Sequence, residues 1–218
     1  MTDMEGALGA LVRRAAGLVR PGRRALLGIT GAPGAGKTTL AQALVDALAA
    51  APPPGCVAGE WVAHVPMDGF HLADVELRRL RRTDRKGAQD TFDAAGYATL
   101  LERLRDSRGD DVMYAPAFDR QIEQPVAGSI PVHPTCRLVV SEGNYLLLDD
   151  PPWPRVRACF DEVWFCDVDD AERRRRLVAR HVQFGKSPDA AHAWVHGTDE
   201  LNAELVRRYR DRADLVVR

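Results

Sequence analysis

The segment Gly31-Ala32-Pro33-Gly34-Ala35-Gly36-Lys37-Thr38-Thr39 constrains this chain more than any other stretch of it. It fits the pattern Gly-x-x-x-x-Gly-Lys-Thr. A short apolar run from Arg24 to Thr30 precedes it, and Leu40, Ala43, Leu44, Ala47 and Leu48 follow at helical spacing. Strand, glycine loop, helix is the order that gives the pattern physical meaning. Glycines let successive backbone N–H groups converge on one anion, and the following helix adds the positive end of its dipole. Lys37 then reaches the terminal phosphates of a nucleotide, and the Thr38 hydroxyl offers an oxygen to magnesium. Gly31 through Thr39 are therefore expected to bind ATP, with Lys37 also serving the chemistry. A glycine turn that merely joins a strand to a helix is the plain alternative.

The rest of the chain reads as further strands with crossovers between them. Leu8, Leu11, Val12, Ala15 and Leu18 predict a helix from Asp3 to Val19, ended by Pro21-Gly22. Pro52-Pro53-Pro54-Gly55 breaks the helix after the glycine loop, and Trp61 to Val65 reads as a strand leading into Met67-Asp68-Gly69-Phe70-His71. Residues 72–130 are less regular and read as a substrate-side insertion. They hold a basic stretch from Arg78 to Lys86, a helix around Leu100, Leu101 and Leu104, and an expected loop from Tyr114 to Arg120. Leu138 to Ser141, Glu162 to Val168 and Ala213 to Val217 complete five short buried strands. Such strands fit an α/β fold: a parallel sheet covered on both faces, with ligands at the carboxyl ends of its strands. The 218 residues, 45% of them hydrophobic, fit one domain.

Three places at those strand ends carry candidate chemistry. Asp68 directly follows a strand, where its carboxylate could orient an acceptor hydroxyl and take its proton; Asp-Gly is also a common turn pair. Glu142 ends the strand Leu138 to Ser141, where an acid can hold magnesium or its water, or simply face solvent. Arg173, Arg176 and Arg180 follow the capping pair Asp169-Asp170 at spacings that place them on one helical face. That face suits a lid, over about 171–198, whose arginines stabilise a transferring phosphoryl group and exclude water; it equally suits a solvated stripe. His192 and His196 lie four apart, but with no glutamate between them and no third ligand evident, zinc is not expected.

Composition narrows the partner. Thirty basic residues stand against thirty-one acidic ones, so neither nucleic acid nor a membrane surface is called for, and the stretch Arg78 to Lys86 lacks the interleaved aromatics of a nucleic-acid site. No run approaches the about 20 apolar residues of a membrane span. Cys56, Cys136, Cys159 and Cys166 have no C-x-x-C spacing and no secretory segment ahead of them, so reduced thiols and a cytoplasmic location are expected. Lysine occurs only at positions 37, 86 and 186. The lysines at 86 and 186 follow Arg85 and Gly185, so the Asn-Lys-x-Asp motif of a switch GTPase is missing. A small-molecule acceptor is the expected partner, the protein being a monomer or homodimer.

Taken with Met67 to His71, Arg85-Lys86-Gly87 with Phe92-Asp93, the Tyr114 to Arg120 segment and Ser141-Glu142-Gly143, the chain resembles the kinases that include uridine kinase, phosphoribulokinase and bacterial pantothenate kinase. It looks nearest a nucleoside or nucleotide kinase-like branch associated with fructose transport. The resemblance spans nearly the whole chain. It implies a P-loop three-layer α/β/α sandwich with sheet order 2-3-1-4-5, Asp68 as base, Thr38 and Glu142 at magnesium, and Arg176 and Arg180 as catalytic lid residues. It also implies that His71, Arg85, Lys86, Phe92, Tyr114, Asp119 and Arg120 line the acceptor pocket. The expected reaction is transfer of the γ-phosphoryl group of ATP to a hydroxyl of a sugar, nucleoside or pantothenate-like metabolite. A nucleoside monophosphate kinase and an ATP-binding regulatory module without acceptor chemistry are the alternatives.

Overall fold

In the computed structural model, which describes residues 2–106 and 109–218, the chain opens with α1 (Thr2–Ala16) and then enters β1 (Ala25–Gly31). The glycine loop leads into α2 (Lys37–Ala50), and β2 (Val62–His64) ends in a 3-10 turn over Met67–Phe70. Helices α3 (Asp74–Leu80) and α4 (Ala94–Asp106) precede an antiparallel hairpin of β3 (Met113–Asp119) and β4 (Gln124–Val132). Then come β5 (Leu138–Glu142), α5 (Trp153–Ala158), β6 (Glu162–Cys166), α6 (Asp170–Gln183), α7 (Pro188–Trp194), a π-helical turn at Val195–Asp199, α8 (Glu200–Arg207) and β7 (Leu215–Val217).

The main sheet runs β2-β5-β1-β6-β7, and every pair in it is parallel. With the hairpin set aside, the five strands stand in the order 2-3-1-4-5. Alternating side chains serve the two faces of the sheet. Leu26, Val139, Val163 and Phe165 point toward α4 and α5, where Leu101, Leu104 and Val156 are buried with them. Leu27, Ile29, Val140 and Trp164 point the other way, into a core shared with Leu44 and Leu48 of α2 and with Trp61. The result is a three-layer α/β/α sandwich. No helix among the described residues is long and apolar enough to cross a membrane.

At the amino end of the sheet a buried arginine closes the bottom of the fold. Arg24 is 6% exposed and donates to the carbonyls of Cys136, Leu104 and His133 at 2.8, 2.7 and 3.2 Å. One guanidinium thereby satisfies three carbonyls, two of them through buried hydrogen bonds.

Two local expectations change. The first helix stops at Ala16, three residues short of Val19, where Gly17 makes a further helical turn unfavourable. The expected Tyr114 to Arg120 loop is strand β3. Pro116, Pro125 and Pro131 mask the hairpin in the sequence, because proline removes a ladder donor. A two-stranded ribbon tolerates it at edges and bulges, and the pairing register shifts here between Ala115 and Ala117.

Candidate active site

The glycine loop is shaped by what lies above it. Gly34 has φ +81°, and a Cβ there would come within 2.7 Å of Leu177 Cγ and 2.9 Å of the Arg173 carbonyl, so only glycine lets α6 settle on the loop. Gly36, also left-handed at φ 86°, forms the N-terminal boundary of α2. Lys37 is 8% exposed and folds back to donate to the Ala32 carbonyl at 3.0 Å. Burial holds its ammonium below the ordinary lysine range, against the pull of Glu142, Cys166 and Asp68. A phosphate beside it would oppose that effect by adding negative charge.

The ends of the neighbouring strands bring two carboxylates to the same place. Asp68 sits in the 3-10 turn after β2, and a Cβ on Gly69 would fall 2.2 Å from the Pro116 carbonyl, so the Asp-Gly pair is wedged beneath the hairpin. Burial raises the Asp68 pKa, but His71, Arg120, Lys37 and Arg180 together outweigh it and hold the carboxyl below its ordinary value. Glu142, 4% exposed, accepts from Thr38 Oγ1 at 3.0 Å. Its pKa is pushed up to about 7, first by burial and then by the Asp68 charge, with Lys37 and Thr38 pulling the other way. A hydroxyl and a buried carboxylate that resists ionisation form a hard oxygen pair of the kind magnesium takes, and a cation there would relieve the cost of charging Glu142.

Lys37, Thr38, Asp68, Glu142, Arg120 and Arg180 all face one cavity of about 610 Å³. A second, of about 780 Å³, runs along the other side of the loop past Thr39, Leu40, Ala43, Val168, Arg176 and Val217. Arg180 faces both cavities and has no carboxylate partner among the described residues. Arg176 borders the second cavity and is held by Glu172 at 2.7 Å. Arg173 differs. It is 1% exposed and ties Asp170 at 3.0 Å, Glu200 of α8 and, at 3.4 Å, the Pro33 carbonyl together, bracing the loop from behind.

The acceptor-side residues divide. His71, Lys86, Phe92 and Arg120 line the first cavity. His71 stacks between Phe92 and Phe118, with ring centroids 4.0 and 4.6 Å away. Lys86 is held by Asp74 at 2.7 Å and lies 5.6 Å from the centre of the Phe118 ring. Arg85, Tyr114 and Asp119 do not line it. Arg85 pairs with Asp90 at 2.7 Å, Tyr114 is 61% exposed on β3, and Asp119 accepts from the Gln121 backbone at 2.8 Å in the hairpin turn. The register shift in the hairpin explains why Tyr114 and Phe118, four residues apart on one strand, meet different surroundings. Phe118, Asp74, Lys186, Trp194 and Asn202 also line the cavity and were not singled out as site residues from the sequence. Lys186 Nζ lies 4.6 Å from the Trp194 ring centre; only their place in a basic, lid-like segment hinted at them. The His192 and His196 rings stack 6.3 Å apart.

Known proteins resemble this chain in sequence and in fold. A provisionally named uridine kinase of Schizosaccharomyces pombe is 34% identical over 213 residues, covering 95% of this chain and 88% of that protein. An ATP-dependent kinase-like protein of Aspergillus versicolor is 38% identical over 152 residues, covering 66% of this chain and 88% of that one. The crystal structure of a provisionally named fructose transport system kinase from Silicibacter sp. TM1040 superimposes with a TM-score of 0.85 at 37% identity, covering 97% of this chain and 98% of that one. The family model described as "Phosphoribulokinase / Uridine kinase family" matches residues 26–218, and this chain is a kinase belonging to that family.

Proposed function

We propose that the protein transfers the γ-phosphoryl group of magnesium-bound ATP to a hydroxyl of a small metabolite, with Asp68 as the base. The observation that carries this reading is that Asp68, Lys37 and the Thr38–Glu142 pair converge on one cavity at the carboxyl edge of the sheet. Thr38 and Glu142 would hold magnesium, which when bound neutralises charge on the phosphates. The second cavity, between α2 and the ends of β6 and β7, offers Leu40, Ala43, Val168 and Val217 as an apolar slot for the base of the nucleotide.

Each side chain has a task in the transfer. Lys37 and Arg180 draw negative charge from the phosphate oxygens; Asp68 orients the acceptor hydroxyl and takes its proton as the new O–P bond forms and the bond to the β-phosphate oxygen breaks. Burial keeps His71 below the ordinary histidine pKa, so its neutral ring serves with Phe92 and Phe118 as a flat wall for the acceptor. The Asp74–Lys86 pair beside it offers an acceptor and a donor of hydrogen bonds to further hydroxyls. A nucleoside monophosphate kinase would need an arginine clamp; Arg85 is engaged with Asp90 off the cavity, Arg120 does line it, and Asp68 at the reacting edge favours a neutral hydroxyl because it would repel a charged acceptor.

Coupled ADP release measured against a panel of sugars, nucleosides and pantothenate tests the reading. One class of acceptor should raise turnover well above the rate with ATP alone. With that acceptor, Asp68→Asn should cut transfer about 100-fold or more without weakening nucleotide binding. Full transfer by Asp68→Asn would remove the base assignment. ATP binding with no stimulation by any acceptor would favour a regulatory module.

A further inference from the structure

We propose that Arg120 has two working positions: it rests on Asp68 before nucleotide binds and turns onto the terminal phosphate of a bound nucleoside triphosphate, releasing the base only when there is a phosphoryl group to transfer. The inference rests on the nucleotide and base assignments above and adds to them a residue that links the two.

The first observation is topological. Gly34, Lys37, Thr38, Arg120 and Arg180 are the residues that line both cavities. Four of them belong to the glycine loop, the start of α2 or α6. Arg120 alone comes from the acceptor side, just past β3 in the hairpin turn, and its side chain reaches back across Phe118, whose ring centre lies 5.8 Å from its Cζ. A guanidinium placed there is within reach of whatever occupies the seam between the two cavities.

The second observation is chemical. Arg120 Nη2 donates to Asp68 Oδ2 at 3.1 Å, a single bond rather than a two-pronged one, and the two side chains remain 37% and 28% exposed. A one-bond pair that open to solvent is weakly held. A terminal phosphate offers three charged oxygens in a geometry that a guanidinium matches with two bonds, and so competes well for it. Around the seam stand Lys37, Arg120 and Arg180, three cations with Asp68 within reach of all of them; Arg180 also feels Asp199, which pairs with His181 at 2.8 Å, and Glu142, which burial keeps from ionising readily, and it has no carboxylate in direct contact among the described residues. A triphosphate brings these cations further negative charge, in a geometry that none of the carboxylates offers them.

The third step is what the move accomplishes. While it stays on Asp68, Arg120 occupies one of the lone pairs open to the acceptor hydroxyl and lowers the carboxylate's basicity. Turned onto the phosphate, it restores that basicity at the base and stabilises charge on the group being transferred. Base strength is thus coupled to the presence of the third phosphate, which ADP lacks.

A double-mutant cycle tests this without an acceptor. Dissociation constants for magnesium ADP and for magnesium with a non-hydrolysable ATP analogue would be measured by calorimetry on the natural protein, Asp68→Asn, Arg120→Gln and the double variant. Removing the Asp68 charge should tighten the analogue relative to ADP by about 5- to 20-fold where Arg120 is present, because the guanidinium is freed for the phosphate. In the Arg120→Gln background that gain should shrink to about twofold or less. In the Arg120→Lys background, which keeps the charge but loses the planar fork, an intermediate gain is expected. The same gain with and without the Arg120→Gln change would overturn the proposal, since simple relief of repulsion by Asp68 would then account for it. Magnesium ADP separates the two layers of the argument: if it binds and the effects are additive, the Arg120 role alone falls, whereas no binding of either nucleotide by the natural protein removes the nucleotide reading beneath it.

Discussion

Arg173 and Arg180 stand two turns apart on α6, spaced as though they shared one duty, yet their surroundings are opposite. Arg173 is buried to 1% exposure with Asp170, Glu200 and the Pro33 carbonyl accepting from it, and Arg207 and Arg174 complete the network around Glu200. Arg180 faces both cavities, and no carboxylate among the described residues pairs with it. Burial, with Arg120 second, holds its pKa below the ordinary arginine value. One arginine is spent on holding the loop in shape. The other has no such partner, and on the proposed function the contrast separates architecture from chemistry along a single helix.

The sharpest way to break that contrast is Arg180→Ala. If the residue stabilises the transferring group, transfer should fall about 100- to 1000-fold at saturating nucleotide. The midpoint of urea unfolding should stay close to that of the natural protein, because no internal ion pair is lost. A large loss of stability with little loss of rate would place Arg180 with Arg173.

The converse substitution is Arg173→Met, which keeps much of the volume and removes the charge. It takes one of two cations from Asp170, which keeps Arg207 at 2.7 Å, one of three from Glu200, and the donor to the Pro33 carbonyl, so a destabilisation of about 2 kcal/mol is expected from denaturant unfolding. Glu200 keeps Arg174 at 3.1 Å and Arg207 at 2.9 Å, which limits the damage. Nucleotide affinity should fall as well, since the glycine loop loses its brace. Unchanged stability would show that the buried network contributes no net support.

These two arginines also mark where sequence reading stops. The glycine loop, the five parallel strands, and Asp68 and Glu142 at strand ends were legible because each depends on a short stretch of chain: apolar runs, glycine spacing, an acid at or just past the end of a strand. What distinguishes Arg173 from Arg180 is Glu200, twenty-seven residues further on in the case of Arg173 and supplied by α8. No local pattern reports that. The hairpin was hidden for a related reason, since its pairing joins residues such as Met113 and Val132 while three prolines argue locally against a strand. Phe118 lines the cavity where Tyr114 was expected to, because side-chain direction in the hairpin follows a register shift that alternation alone does not reveal. Arg85 and Lys86 are adjacent, and only the folded chain assigns one to Asp90 and the other to the cavity.

The same contrast, between a charge the fold satisfies and one it leaves waiting, extends to the carboxylates and yields the smallest effect. Glu142 has its pKa pushed up to about 7, from an ordinary value of 4.5, so in the metal-free protein the folded state holds its proton more tightly than the unfolded state does. Between those two values the unfolded chain ionises while the folded one does not, and stability must fall as pH rises; above about 7 the loss is complete. Each unit of difference corresponds to about 1.4 kcal/mol, so a ceiling of about 3–4 kcal/mol and a realised effect of about 1–2 kcal/mol are expected, given the nearby Lys37. His64 and His71, both held below the ordinary histidine value, act in the opposite sense, losing stability as pH falls through the histidine range. Their contribution is common to both proteins when the natural chain is compared with Glu142→Gln, and it cancels in the difference. Asp68, held below its ordinary value, acts only at lower pH. Urea unfolding in a chelator at pH 5, 6, 7 and 8 should therefore show the Glu142→Gln variant gaining on the natural protein up to about pH 7 and no further. Magnesium with nucleotide should close the gap, because Glu142 would then carry its charge beside a cation. A gap that stayed flat across the series would mean that Glu142 is already satisfied without a metal, as Arg173 is without a ligand.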